Sequence, residues 1–188
     1  MQPRHALLIV LTTTLLLGLA TASLSFNACS LISQAEAEKV LGEAVAPARH
    51  SNVVGIAAGV TCAYYTAAPI AKRGGTGVLQ VTVYDPGTMA AKGIVYQSPT
   101  KYFQRHRQVL AKRGKGQKVD GLPCEAFWLS GSDTLHLLSH NHYVVIKVRD
   151  ITKMQAPNSQ ELDRKLSAHR LQKSKQVALQ YVLPRLPK

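Results

Sequence analysis

The sequence predicts an α+β domain: an antiparallel β-sheet with helices packed on it. Two observations carry this. Strand-like segments fall in sequential hairpins, one block ahead of residue 85 and a second after residue 116. The helical segments are grouped, one before the strands, two between the blocks and one after them. Grouped helices with hairpin-linked strands favour an antiparallel sheet over a doubly wound parallel one.

The elements follow in order. Met1 to Ala22 reads as a cleavable export leader, with a basic start at Arg4, an apolar run from Ala6 to Leu19 and the small residues Ala20-Thr21-Ala22 behind it. The run is about 14 residues against the roughly 20 that a membrane span needs, so cleavage is expected rather than anchoring. Roughly 166 residues then remain, enough for one domain with its own core. Ser33-Gln34-Ala35-Glu36 is a capping box, Ile32 and Ala37 are placed to staple it, and Gly42 supplies the left-handed stop. The spacing predicts a helix of about nine residues between them. Val53 to Gly59 reads as loop or poor strand.

Val60–Thr66 and Val78–Tyr84 are expected to form a hairpin across the Gly- and Pro-containing turn from Ala67 to Thr76, with Leu79, Val81 and Val83 on one face. Asp85-Pro86 and Ser98-Pro99 each look like a helix start with proline at the first position. The first of these helices puts Met89, Ala90, Gly93 and Ile94 on one side, and a loop around Gln97 joins it to the second. The second has an apolar stripe of Tyr102, Phe103, His106, Val109 and Leu110, and stops at Gly114. Strands are then expected over 117–122, 125–129, 133–140 and 142–149, turning at Gly131-Ser132 and at Asn141. Asn158-Ser159 caps a closing helix with Leu162 and Leu166 inward. Its stripe loses phase after Leu171, so the domain is taken as residues 23–171 with a basic C-terminal helical extension or tail over 172–188 that frays from Leu183 onward.

Three cysteines remain in the exported portion, Cys29, Cys62 and Cys124, and spacing alone allows three pairings. A Cys29–Cys62 bridge is preferred because it ties the extended lead-in to an early strand, leaving Cys124 as a buried small apolar side chain. Phe26-Asn27 ahead of Cys29 are unlike the small aliphatic residues of a lipid-attachment signal. The expected location is therefore periplasmic or secreted.

All of the Lys and Arg except Arg4 lie beyond the leader, against ten acids, giving a formal charge of about +12. Such a charge favours anionic lipid, an anionic glycan or an acidic protein, with peripheral membrane association open to it. Nucleic acid suits the charge but not the compartment. The strongest interaction signal is the acid-free stretch from Lys101 to Lys118. On a helix Lys101, Arg105 and Lys112 share one side, away from the apolar stripe, and Arg113 and Lys115 follow directly.

Chemistry finds little footing. No Gly-x-Ser-x-Gly elbow or protease-type cysteine motif is present. Gly74-Gly75-Thr76-Gly77 joins strands instead of opening a helix, so it reads as a turn and not as a phosphate cradle. His136, His140 and His142 around one hairpin are the only candidate metal set, and an alternative reading makes them the centre of a small metal-dependent or hydrolytic enzyme. Strand residues four apart are about 13 Å distant by rise, too wide for one ion without a bend. Solvated turn histidines are the expectation, with no cofactor and no catalysis. Tyr64, Tyr65, Tyr84, Trp128 and Tyr143 are expected to pack in or on the sheet.

The order of these features resembles a group of small exported bacterial proteins of unknown function, many of them lipoproteins. The residues that carry the resemblance are Cys29-Ser30-Leu31-Ile32, a Glu- and Ala-rich helix ending Val40-Leu41-Gly42, Cys62-Ala63-Tyr64, and Val119 to Trp128 leading into the last two strands. It covers about Ala28 to Leu171. Pro123-Cys124 stand where the group usually has Gly-Asp, and a lipid-attachment signal is lacking. The resemblance implies an antiparallel α/β sandwich similar to the PsbP-like fold of photosystem extrinsic subunits, and it implies no known catalytic residues. The function expected is that of an exported, non-catalytic envelope protein binding an anionic component or partner through its basic helical face.

Overall fold

The computed structural model describes residues 26–53, 55–67, 75–92, 95–96, 98–151 and 154–188. The expected leader, Gly74, Gly93, Ile94 and Gln97 lie outside the described residues.

Seven strands form one antiparallel sheet: β1 (Arg49–Val53), β2 (Gly59–Tyr65), β3 (Val78–Tyr84), β4 (Gly116–Lys118), β5 (Glu125–Leu129), β6 (Thr134–Ser139) and β7 (His142–Arg149). Their spatial order is β1-β2-β3-β7-β6-β5-β4. Each block of hairpins is contiguous, and β3 joins the blocks by pairing with β7. The chain must therefore travel from the middle of the sheet at β3 to its far edge at β4. The helices α2 (Pro86–Lys92) and α3 (Pro99–Lys112) make that crossing.

Strand alternation then divides the molecule into two cores. On one face Val60, Cys62 and Tyr64, Leu79, Val81 and Val83, Leu135 and Leu137, and Val144, Ile146 and Val148 pack together. This face is covered by α1 (Gln34–Leu41) and by a long C-terminal helix, α4 (Ser159–Val177). On the other face Tyr84, Phe127 and Tyr143 pack with Met89 of α2 and with Phe103 and Leu110 of α3. Helices thus cover both faces of the antiparallel sheet.

The local chemistry of α1 is as its sequence expects. Ser33 accepts from the Glu36 amide, Glu36 accepts from the Ser33 amide, and Gly42 closes the helix at φ 74°. Cys29, in a single 3-10 turn (Ala28–Ser30), is bridged to Cys62 in β2. The Tyr64 hydroxyl donates to the Ile32 carbonyl at 2.7 Å, so β2 holds the lead-in at two points.

The hairpin between β6 and β7 turns at His140-Asn141, both at positive φ (46° and 59°), with Ser139 paired to His142. Two central residues at positive φ define the two-residue turn whose twist matches the strands it joins. Gly59 opens β2 where the Tyr84 ring lies against it; a Cβ there would stand 2.8 Å from that ring. Glycine is the residue that lets the aromatic approach the backbone.

One strand is added to the expected order and one expectation is corrected. Residues 49–52, over which the sequence marks no element, and Val53, expected in a loop or poor strand, form edge strand β1, although most of it is exposed. Backbone pairing to β2 holds it, with the Arg49 guanidinium 5.1 Å from the Tyr65 ring, so no apolar alternation marks it in sequence. The correction concerns the end of the chain. The helical extension expected beyond Leu171 is present, but its end is packed and not frayed: α4 runs into a π-turn (Ala178–Val182) and α5 (Leu183–Arg185). Ser174, Val177, Ala178, Val182 and Leu186 are buried. The inward position at 174 is a serine, which breaks the apolar stripe in sequence but not in space. The wider π-turn then keeps Ala178 and Val182 on the buried side. Arg185 locks the end by donating to the Leu31 carbonyl and to both carboxylate oxygens of Glu36, at 2.6 and 2.8 Å. That guanidinium holds the Glu36 carboxyl down at about 2.

Candidate functional site

Helix α3 is the element on which the sequence places a site, and its two sides have different chemistry. Pro99 occupies its first turn and Gly114, at φ 64°, follows its end. Phe103 and Leu110 are buried on the sheet side, and Tyr102, His106 and Val109 are half-buried beside them. Lys101, Arg105 and Lys112 are exposed on the opposite side, and Arg113 and Lys115 are exposed just beyond. Among the described residues none of these five cations forms an ion pair. The other basic residues of the stretch differ: Arg107 bridges Glu125 at 2.6 Å and Lys118 bridges Asp120 at 2.8 Å.

Beneath α3 lies a polar chain that the sequence did not announce. Ser132 Oγ donates to the Leu129 carbonyl and lies 2.7 Å from Thr134 Oγ1; Thr134 Oγ1 lies 2.8 Å from His136 Nε2. His136 Nδ1 and His106 Nδ1 each stand 2.7 Å from the Tyr143 hydroxyl. Each hydroxyl has one proton, so the bonds run head to tail, and their direction sets both tautomers. Either His136 Nε2–H donates to Thr134, Tyr143 donates to His136 Nδ1 and His106 Nδ1–H donates to Tyr143, or each of these bonds runs the other way. In both directions the Tyr143 hydroxyl donates to one imidazole and accepts from the other.

The electrostatics agree with neutral rings. Burial, reinforced by His106 nearby, pushes the His136 imidazole down to about 3. Burial also lowers His106 and raises the Tyr143 phenol. Aromatic contacts seal the chain: His136 stacks on Phe127 with centroids 4.5 Å apart, and Tyr143 stacks on Tyr84 at 5.0 Å. This network, buried at His136 and Tyr143 and part-buried at His106, Thr134 and Ser132, ties α3 to the sheet. Tyr143→Phe orphans one donor and one acceptor and is expected to cost about 2–4 kcal/mol of stability. Urea unfolding reads this directly, and a loss below about 0.5 kcal/mol would refute the chain as drawn.

The expectation of solvated turn histidines is corrected for two of the three, because His136 and His142 are buried. His136 shares its sheet face with Tyr143, whereas His142 shares the opposite face with Val144 and packs on Phe26 at 5.9 Å. His140 sits in the exposed turn between them. Both nitrogens of His136 are engaged, and His142 Nδ1 is bonded to the His140 carbonyl at 2.9 Å. The three imidazoles do not converge on one point. A two-residue turn, not a bend within the strand, separates them. Among the described residues no other group of three or more His, Cys, Asp or Glu side chains is placed to hold a metal ion.

Cys124 is also corrected: it is half-exposed, not enclosed in the core. It lines a groove of about 630 Å³ between the C-terminal half of α3 and the loop that follows β4. Its partial burial, with Glu125 nearby, pushes the thiol up. Pro123 beside it and Gly121 at φ 80° end the strand at Lys118, four residues earlier than its β-pattern suggests. That arching loop is what leaves Cys124 at a groove wall.

Comparison with family models, with curated proteins and with solved structures found no match for this chain. Its function must therefore be argued from its own geometry.

Proposed function

We propose that this chain is an exported, non-catalytic domain of the cell envelope that binds an anionic component, with the basic side of α3 as its contact surface. One observation carries the reading: among the described residues, five cations are displayed without ion-pair partners on and just after one helix, and that helix is tied to the sheet through His106 and Tyr143 on its other side. The contrast with Arg107 and Lys118 supports it, because acids stand within reach of the stretch and neutralise only those two. Near an anionic membrane surface each such cation contributes on the order of 1 kcal/mol.

The Cys29–Cys62 disulfide favours a non-reducing compartment, and export to the periplasm or beyond is the natural way to reach one. No helix of the described residues is long and apolar enough to cross a membrane. Peripheral attachment through the cations of α3 is the mode this reading expects.

Sedimentation with vesicles tests the reading. The protein is expected to pellet with phosphatidylglycerol vesicles and not with phosphatidylcholine vesicles. It should be released as ionic strength rises from about 0.1 M to 1 M, where screening shortens from about 10 Å to 3 Å. Equal behaviour with both lipids, or binding indifferent to salt, would overturn it.

A further inference from the structure

The groove beside Cys124 has walls of two kinds. Val119, Leu122, Ala126 and Phe127 give it an apolar floor. Arg107 and Lys118 stand at its rim, but each is already matched by an acid, Glu125 or Asp120. The groove is also lined by Ala111 and Gly116; Lys112, Arg113 and Lys115 do not line it but follow between these two along the chain, exposed and, among the described residues, in no ion pair. Among the described residues, the charges of the groove lining are paired, and the unpaired charges next to the groove along the chain are positive. Its volume, about 630 Å³, is that of a small-molecule site.

The far wall is fixed. Lys175 Nζ donates to the Asp120 carbonyl at 2.8 Å, and the Val119 amide donates to the Ala126 carbonyl at 3.1 Å. With these groups satisfied, the floor offers an entering ligand apolar contact and the flank offers it charge.

We propose that this groove takes the acyl chain of a single-chain anionic amphiphile while Lys112, Arg113 and Lys115 take its headgroup. The inference rests on the reading of α3 as an anion-binding surface and deepens it by naming the ligand class. Burial of the chain gains the hydrophobic term, which a head alone lacks, and the cations discriminate against a neutral head.

Cys124 supplies a reporter inside the groove, since the other two cysteines are bridged to each other. The experiment follows alkylation of Cys124 by iodoacetamide at about pH 8, where the thiolate fraction suffices for reaction. Dodecyl phosphate below its micelle concentration is expected to slow the reaction about tenfold or more. Inorganic phosphate should leave the rate unchanged. Dodecyl maltoside should protect about tenfold more weakly, as should dodecyl phosphate on the K112E/K115E variant, whose changes lie at exposed positions. No protection by dodecyl phosphate, equal protection by the neutral detergent, or full protection of the charge-reversed variant would each overturn the proposal. If phosphatidylglycerol vesicles still pellet the protein while Cys124 stays unprotected, the groove inference alone fails. If neither occurs, the anion-binding reading fails with it.

Discussion

Removing the Cys29–Cys62 bridge, by Cys29→Ser together with Cys62→Ala, is expected to lower the unfolding free energy by about 3–4 kcal/mol. The two cysteines are 33 residues apart, and opening that loop returns its conformational freedom to the unfolded chain. The effect should be large for this fold because the bridge reaches its innermost layer. Cys62 lies at 2 % exposure among Leu79, Val81 and Val83 of β3, and the lead-in it holds includes Leu31 and Ile32, both buried in the same core. Urea denaturation should show a lower midpoint for the variant, and reducing the native protein should reproduce most of that loss. A midpoint unchanged by either treatment would show that the lead-in is held by packing alone.

Acidification is expected to produce the second large effect, and His136 is its main source. The ring is neutral in the fold, where its pKa is about 3, and titrates near 6.5 when the chain unfolds. Between those values the unfolded state binds the proton and the folded state does not, so stability falls as pH falls through that window and is fully present above about 6.5. From pH 7 to pH 5 this one group should remove on the order of 2 kcal/mol, and His106, lowered by burial, acts in the same direction. Glu36 titrates in a separate window. Held at about 2 by Arg185, its contribution is present above the ordinary carboxylate range and is lost only as pH falls toward 2. The urea midpoint at pH 7 and pH 5 therefore isolates the histidines, and His136→Gln should flatten the difference. An equally steep loss in that variant would place the proton uptake elsewhere.

Much of this fold is legible in the residues, and the exceptions have physical causes. The Ser33–Glu36 capping box, the Gly42 stop, the alternation in 78–84 and 142–149 and the turn at Asn141 are local signals, and the structure has each of them. Strand β1 was missed because an exposed edge strand is held by main-chain pairing and needs no apolar side chains. The packed end of the chain was missed because one inward serine interrupts its stripe.

The candidate site was legible on one side only. The exposed cations of α3 follow from helical spacing, whereas the network under them joins residues from α3, β6 and β7. Sequence held one unused clue: alternation along β6 and β7 already puts His136 and Tyr143 on one face and His142 on the other. Carried through, that parity would have removed the histidine hairpin as a metal centre. What no spacing could show is that His106, set in an apolar stripe, meets Tyr143 across the layer.

The central claim is that the place of the cations, not the total charge of the chain, makes the binding surface. Two variants that lose the same five charges test it most directly. In one, Lys101, Arg105, Lys112, Arg113 and Lys115 are changed to glutamine; in the other, the exposed Lys39, Lys92, Arg149, Lys165 and Lys188 are changed in the same way. Measured by sedimentation with phosphatidylglycerol vesicles, the first variant is expected to lose binding and the second to keep most of it. Equal loss in the two, or retention by the first, would contradict the account.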